Sequence, residues 1–209
     1  MNAARLGTTS TTKGTRPKGV NPVTTTKSGT RKVAFLVASE GIERVELTEP
    51  WTAVANAGFE PVLISPEPGK VQMFDHLDRS DTQEVDVTVS EADLDDYAAL
   101  VLPGGVANPD ALRLDEDAVG FARGFLDSGR PVAAICHAPW TLVEAGVVGG
   151  RTLTSWPSLR TDITNAGGTW KDEKIVRDGN LITSRKPGDL PAFISALLEA
   201  LQHGDAGTG

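Results

Sequence analysis

The stretch PVAAICHA, residues 131–138, is a short apolar run that ends abruptly in a cysteine and a histidine. A continuous apolar run of this length is typical of a strand buried in a parallel sheet. A helix is predicted directly after it, over residues 137–145, and Gly146 ends that helix. Cys136 therefore lies at a sharp strand-to-helix turn with small residues two positions before and after it, which is the spacing of the G-x-S-x-G nucleophile elbow.

Strand and helix patterns alternate on both sides of this turn. Further buried strands are predicted at 32–38, 59–65 and 97–102, and a peripheral antiparallel pair at 71–73 and 84–89. Asp178-Gly179-Asn180 predicts a hairpin between 174–176 and 181–183. Helices are predicted over 43–56 (where Pro50 marks a kink or break), 115–127, 158–166 (capped by Ser158) and 190–201. This alternation predicts one α/β sandwich over residues 32–203, with a mostly parallel sheet covered on both faces.

The composition separates a basic tail from an acidic body. Of the 209 residues, residues 1–32 carry seven Lys and Arg and no acid, whereas the remainder carries 13 bases and 28 acids. Residues 1–31 are predicted to be a disordered Ser/Thr-rich tail, with a transit peptide or a basic arm as the alternatives, and residues 204–209 are predicted to be a disordered end.

The acidic body argues against nucleic-acid binding, and no apolar run is long enough to span a membrane. One cysteine excludes an intramolecular disulfide, and three scattered histidines argue against a metal site.

Three strand ends carry the residues that could perform chemistry: 39–43, 103–105 and 136–137. Ligands bind beyond the carboxyl ends of the strands in an open parallel sheet, so these loops are predicted to converge on one crevice. Cys136 is the candidate nucleophile, and the helix that follows is expected to lower the pKa of its thiol. The alternative is a buried core cysteine.

The neighbouring residues have candidate roles and simpler alternatives. His137 is a candidate acid or base, or a helix cap. Glu43 is a candidate partner of the thiol, with Glu40 and Glu46 as competitors among which periodicity does not choose. Gly104 and Gly105 are candidate oxyanion donors, or a plain turn. Asp110 is a candidate to orient His137, or a surface acid.

Taken together, these segments resemble the PfpI-like family of the class I glutamine-amidotransferase-like superfamily, which also contains intracellular proteases and a deglycase. The resemblance covers nearly all of residues 32–203, in order. It is carried by EGIERVELTEP (40–50), ALVLPGGVANPDALR (99–113), RPVAAICHAPWTLVEAGVVGGRTLTSW (130–156), DITNAGGTW (162–170) and VRDGNLITSRKPGDLPAF (176–193).

The resemblance implies a flavodoxin-like α/β/α sandwich with a nucleophile elbow. It places the nucleophile on Cys136, its histidine on His137 and the glutamate that hydrogen-bonds the thiol on Glu43. The acid that orients the histidine matches Asp110, which in the oligomeric proteases of this group comes from a neighbouring subunit. The oxyanion amide maps to Gly105, with Gly104 as the alternative. Ala138, which replaces a glycine common in the family, adds bulk to the substrate side of the elbow.

The function expected from this resemblance is a cysteine-dependent stress-response hydrolase that acts on reactive carbonyls, glycated protein adducts or peptides. The alternative is a redox sensor in which Cys136 is oxidised without turnover. A glutamine amidotransferase is disfavoured, because the only later histidine is His203. The protein is expected to be a cytoplasmic homodimer or higher homo-oligomer that needs no cofactor and no metal, with Asp110 near the interface.

Overall fold

A computed structural model describes residues 31–206 of the chain, with side chains to His203. The predicted basic tail, apart from Arg31, and residues 207–209 therefore lie outside the described residues. The last helix continues to Ala206, three residues past the predicted end of the domain. Within this part of the chain, no helix is both long enough and apolar enough to cross a membrane.

The core of the fold is a seven-stranded sheet in which neighbouring strands are parallel except at one edge, where a hairpin adds an antiparallel strand. The buried apolar runs predicted from the sequence form its centre, because both faces of these strands are covered. In chain order its strands are β1 (Lys32–Leu36), β3 (Glu60–Ser65), β6 (Val87–Thr88), β7 (Tyr97–Leu102), β8 (Val132–Ile135), β11 (Ile175–Asp178) and β12 (Leu181–Ser184), and their spatial order is β11-β12-β8-β7-β1-β3-β6.

Helices cover both faces of this sheet and make a three-layer sandwich. The helices are α1 (Arg44–Asn56), α2 (Ala107–Leu112), α3 (Glu116–Asp127), α4 (Pro139–Glu144), α5 (Arg160–Asn165) and α6 (Leu190–Ala206). Along β1, Val33 and Phe35 pack with α1 and α6, whereas Ala34 and Leu36 pack with the layer formed by α2 to α5. The predicted α/β/α sandwich is therefore confirmed.

The region between β3 and β7 differs from the prediction. Strands β4 (Lys70–Asp75) and β5 (Asp78–Glu84) form the antiparallel pair, and β2 (Glu40–Glu43) joins β4 to make a separate three-stranded sheet. The predicted strand 84–89 is divided, because Asp86 turns the chain into the central sheet. Its side chain accepts a hydrogen bond from the Leu63 amide at 2.7 Å, and its own amide donates to the Leu63 carbonyl at 2.9 Å.

Helix α1 also differs from the prediction, because it runs through Pro50 without a break. A proline in a helix has no N–H to bond the carbonyl four residues earlier, and here that carbonyl belongs to Glu46.

Two short strands that pair with each other, β9 (Thr152–Leu153) and β10 (Thr169–Trp170), were not predicted. Helix α5 begins at Arg160 without a side-chain cap from Ser158.

The central strands β8, β7 and β1 are neighbours, and they run in the same direction. The loops at their carboxyl ends therefore meet at one edge of the sheet, as the sequence predicts. These loops hold Cys136, Gly105 and Gly41, which line one pocket.

The packing of α6 against the sheet can be tested at Phe193, whose side chain is completely buried. We expect Phe193→Ala to lower the free energy of unfolding by about 3–5 kcal/mol, because it leaves a cavity beneath the helix. Urea unfolding followed by circular dichroism measures the change. Gln202→Ala, on the exposed side of the same helix, is the control and should change stability by less than about 0.5 kcal/mol. Equal stability of the two variants would contradict this packing.

Candidate active site

Cys136 holds a backbone conformation that side-chain-bearing residues rarely adopt. Its φ is +63°, in the left-handed region, which costs about 1–2 kcal/mol for a residue with a Cβ. Two hydrogen bonds hold this conformation: the Cys136 amide donates to the Ser184 carbonyl at 3.1 Å, and its carbonyl accepts from the Trp156 amide at 2.8 Å. The strained turn places the sulfur on the pocket wall, although the residue is only 7% exposed.

The carboxyl group that meets this thiol belongs to Glu46. Glu46 lies in the first turn of α1 and is completely buried. Its Oε2 accepts a hydrogen bond from the Gly104 amide at 3.0 Å, and its carboxyl interacts with the Cys136 thiol. Its Oε1 is buried and has no hydrogen-bond partner of standard geometry among the described residues.

The prediction that Glu43 bonds the thiol is therefore wrong. Glu43 ends β2, is half-buried, and accepts a hydrogen bond from the His76 amide at 3.3 Å. Glu46 lies one turn further along, on the face of α1 that also buries Leu47, Pro50 and Val54. An acid that shares the spacing of a buried helix face was the signal that could have selected it.

The expected lowering of the thiol pKa is also wrong. Burial, followed by the nearby Glu46 carboxyl, raises the pKa of Cys136 above its ordinary value, and the Gly105 and His137 amides offset only part of this rise. The helix thought to lower it begins only at Pro139 and is six residues long. Burial raises the pKa of Glu46 to about 8, and the Glu43 carboxylate adds to the rise. The Glu46 carboxyl consequently retains at neutral pH a proton that an exposed carboxyl group would lose, and the thiol keeps its own proton.

His137 is positioned to exchange a proton with the sulfur. Its Nδ1 lies 3.2 Å from Cys136 Sγ, and its Nε2 lies 3.4 Å from the Ser158 hydroxyl. Its ring stacks on that of Trp156, with ring centroids 5.7 Å apart. Burial lowers the pKa of His137, so the ring is neutral at pH 7 and one of its nitrogens is free to accept a proton.

Asp110 does not contact His137 within the chain. It lies on α2 with its side chain exposed, and the described residues include no hydrogen bond or ion pair between the two. Ser158, which sequence reasoning assigned only to a helix cap, is instead the residue on the far side of the imidazole.

The Pro103-Gly104-Gly105 loop approaches the elbow closely enough to exclude side chains. A Cβ on Gly104 would overlap Glu46 Oε2 and lie 2.6 Å from the Cys136 Cβ. Gly105 has φ +85°, and its amide interacts with both the Cys136 sulfur and the Glu46 carboxyl. The amide of Ala138 donates to the Ile135 carbonyl at 3.0 Å within the turn, and Ala138 does not line the pocket. Of these three amides, that of Gly105 belongs to a residue that lines the pocket and interacts with the thiol.

These groups open onto a pocket of about 430 Å³. The tip of the β4–β5 hairpin, His76 and Leu77, forms one wall, and Trp156 and Val106 form part of the rim. Leu77 and Val106 are 89% and 58% exposed. Within residues 31–206, no group of three or more His, Cys, Asp and Glu side chains is placed to hold a metal ion.

The raised pKa of Glu46 predicts a pH-dependent stability. The unfolded chain releases the Glu46 proton near pH 4.5 and the folded chain near pH 8, so stability should fall as the pH rises between these values. The slope expected from one proton is up to about 1.4 kcal/mol per pH unit. Glu46→Gln should remove this slope, which urea unfolding at several pH values measures. Glu49→Gln, which removes an exposed carboxyl from the same helix, is the control and should keep the wild-type slope; the same slope in wild type and Glu46→Gln would contradict the assignment.

Comparison with known proteins shows the family to which the chain belongs. The DJ-1/PfpI family pattern matches residues 31–200. The chain is 42% identical over 171 residues to Deglycase PfpI of Pyrococcus furiosus, covering 82% of this chain and 99% of that one. It is 39% identical over 168 residues to Deglycase TK1284 of Thermococcus kodakarensis, covering 80% and 98%.

A solved two-domain protein from Anabaena variabilis, with DJ-1/ThiJ/PfpI-like and ferritin-like domains, superposes with a TM-score of 0.78 at 36% identity. The match covers 84% of this chain and 49% of the two-domain chain, so this chain spans about half of that protein's length. Cys136, Glu46 and the loop with Gly104 and Gly105 lie within residues 31–200, which the family pattern matches. The chain belongs to the DJ-1/PfpI family.

Proposed function

We propose that the protein is a cysteine-dependent hydrolase of the PfpI type, acting on reactive carbonyls, glycated protein adducts or peptides in a stress response. The observation that carries this proposal is the arrangement around Cys136: a strained elbow, a histidine nitrogen 3.2 Å from the sulfur and the Gly105 amide on the same pocket wall. Relatives about 40% identical over most of the chain are named deglycases, which supports this class of activity.

The first chemical step follows from the pKa shifts. Because the thiol is protonated at neutral pH, it needs a base, and neutral His137 at 3.2 Å can accept its proton. The sulfur then adds to the substrate carbonyl carbon: a C–S bond forms, the C=O π bond breaks, and its electron pair moves to oxygen. The Gly105 amide stabilises that oxygen until it takes a proton from the His137 imidazolium.

The later steps depend on the substrate. With methylglyoxal, the adduct is a hemithioacetal. Transfer of its C–H hydrogen as a proton to the adjacent carbonyl carbon, with rearrangement of the electron pairs, gives a thioester of lactic acid. Water hydrolyses the thioester and regenerates the thiol, so one methylglyoxal and one water yield one lactate without an external oxidant. With a peptide, the amine departs with a proton and leaves an acyl-enzyme that water hydrolyses.

The redox sensor is the alternative function. It predicts that peroxide adds the mass of oxygen to Cys136 while no substrate is turned over, whereas the hydrolase turns over a substrate. A glutamine amidotransferase would need a catalytic histidine far downstream of the cysteine. The only later histidine, His203, is exposed near the end of α6, which disfavours this function.

Replacement of the nucleophile tests the proposal. We expect Cys136→Ala to reduce turnover of methylglyoxal, of a glycated peptide or of a fluorogenic peptide by at least about a thousandfold, whichever the wild type accepts. Ser65→Ala is a matched control, because it removes one γ atom from a completely buried residue that ends β3, and it should keep wild-type activity. Equal rates for wild type and Cys136→Ala would refute the hydrolase proposal.

We further propose that the functional unit is a homo-oligomer in which Asp110 of one subunit orients His137 of another. Asp110 is exposed and does not reach His137 of its own chain. Val106 and Leu114, before and after α2, are 58% and 84% exposed, which supports burial of this surface against another subunit. A cytoplasmic location is part of the same proposal, since a lone cysteine stays reduced there.

Mixing two inactive variants tests whether the site is shared. We expect Asp110→Asn to lower turnover by about tenfold or more. After unfolding and refolding together with Cys136→Ala in equal amounts, random dimers should regain roughly a quarter of wild-type activity, since each mixed dimer holds one complete site.

The control is Asp117→Asn, which changes an exposed acid on α3 and should leave activity unchanged. If the refolded mixture shows only the mean activity of the two unmixed variants, the shared site is wrong. Sedimentation velocity of the wild type gives the oligomeric state independently, and a monomer would overturn this part of the proposal.

A further inference from the structure

One buried polar side chain beside the site, that of Asn108, has no part in the mechanism above. It lies on α2 and is completely buried. Its Oδ1 accepts a hydrogen bond from the Ala38 amide at 2.7 Å. Its Nδ2 donates to the Pro103 carbonyl at 2.9 Å and to the Gly104 carbonyl at 3.1 Å. Both carbonyls belong to the loop that approaches the elbow.

Because the peptide bond is planar, the hydrogen bonds from Asn108 to the Pro103 and Gly104 carbonyls also fix the directions of the Gly104 and Gly105 N–H groups. In a trans peptide the C=O and N–H bonds point in opposite directions, and the described chain has no cis peptide. Holding the Pro103 carbonyl therefore directs the Gly104 N–H to the other side of the loop, where it donates to Glu46 Oε2 at 3.0 Å. Holding the Gly104 carbonyl likewise directs the Gly105 N–H, which interacts with the Cys136 sulfur.

We propose that Asn108 is a positioning residue that aims the Gly104 amide at Glu46 and the Gly105 amide at the Cys136 sulfur and the substrate oxygen. The part that concerns the substrate oxygen rests on the proposed function, whereas the part that concerns the thiol does not. Two adjacent glycines leave the loop free to rotate its peptide planes, so a fixed side-chain donor is what selects one orientation. The Ala38 contact in turn fixes Asn108 to the end of the central strand β1.

The alternative is that Asn108 only stabilises the fold, and the chain offers a close control for that alternative. Asn180, in the turn between β11 and β12, also donates from its Nδ2 to two carbonyls, those of Leu126 at 2.9 Å and Arg130 at 2.8 Å. It does not line the pocket that holds Cys136. Asn108→Ala and Asn180→Ala thus remove the same kind of contact, one beside the thiol and one away from it.

The test uses alkylation of Cys136 by iodoacetamide, which needs the thiolate but no substrate, and Cys136 is the only cysteine. We expect Asn108→Ala to lower the alkylation rate at pH 7 by about tenfold and to move its pH profile upward by about one unit, because the amides no longer stabilise the thiolate. Where the wild type turns over a substrate, kcat should fall by about tenfold with KM changed less than about twofold. Asn180→Ala should keep the wild-type profile.

A second variant keeps the test decisive if Asn108→Ala does not fold. Asn108→Leu is close to asparagine in size and adds no charge beside the thiol, but it loses the two donors to the loop carbonyls, so it should give the same shift. Circular dichroism checks that each variant is folded.

Two results would overturn the inference: a wild-type alkylation profile in a folded Asn108 variant, or the same shift in Asn180→Ala. Failure of the wild type to turn over any substrate would instead refute the proposed function, and the alkylation result would still decide the role of Asn108 at the thiol.

Discussion

The contact between the Cys136 thiol and the Glu46 carboxyl is the interaction on which the rest of the site depends. Both groups are buried, and burial raises the pKa of each. Two buried acids side by side cannot both be charged without a large electrostatic cost, so the pair holds a proton at neutral pH. The Gly104 amide bonds Glu46, the Gly105 amide interacts with both groups, and His137 lies close enough to the sulfur to move a proton.

The backbone around the pair is packed so tightly that glycine is required at several positions. A Cβ on Gly104 would overlap Glu46 Oε2, a Cβ on Gly105 would overlap the Gly41 carbonyl, and a Cβ on Gly41 would lie 2.5 Å from the Cβ of Ala107. The loops after β1 and β7 therefore interlock next to the elbow. This explains how one short loop can present amides both to the Glu46 carboxyl group and to the Cys136 thiol, since no side chain separates them.

Much of the fold could be predicted from the sequence, because the central strands are continuous apolar runs and their helices have clear end signals. The position of Cys136 at a strand end followed from the same patterns. The β2 strand and the division of residues 84–89 could not be predicted, since they depend on pairing with β4 and on the contact of Asp86 with β3. In the site, Glu46 was one of three competing acids that the residue pattern did not distinguish, and the family resemblance selected Glu43 instead. Asn108 was missed because its partners are backbone groups that only the fold brings near.

Infrared difference spectroscopy of wild type against Glu46→Gln, titrated through the neutral range, decides whether the buried pair holds a proton. We expect a band from the C=O stretch of a protonated, buried carboxylic acid that is present at pH 6, absent in the variant, and lost with a midpoint near pH 8. If the wild type shows only carboxylate bands at pH 6 and no difference from Glu46→Gln, then Glu46 is ionised beside the thiol, and the proton-holding pair described here does not exist.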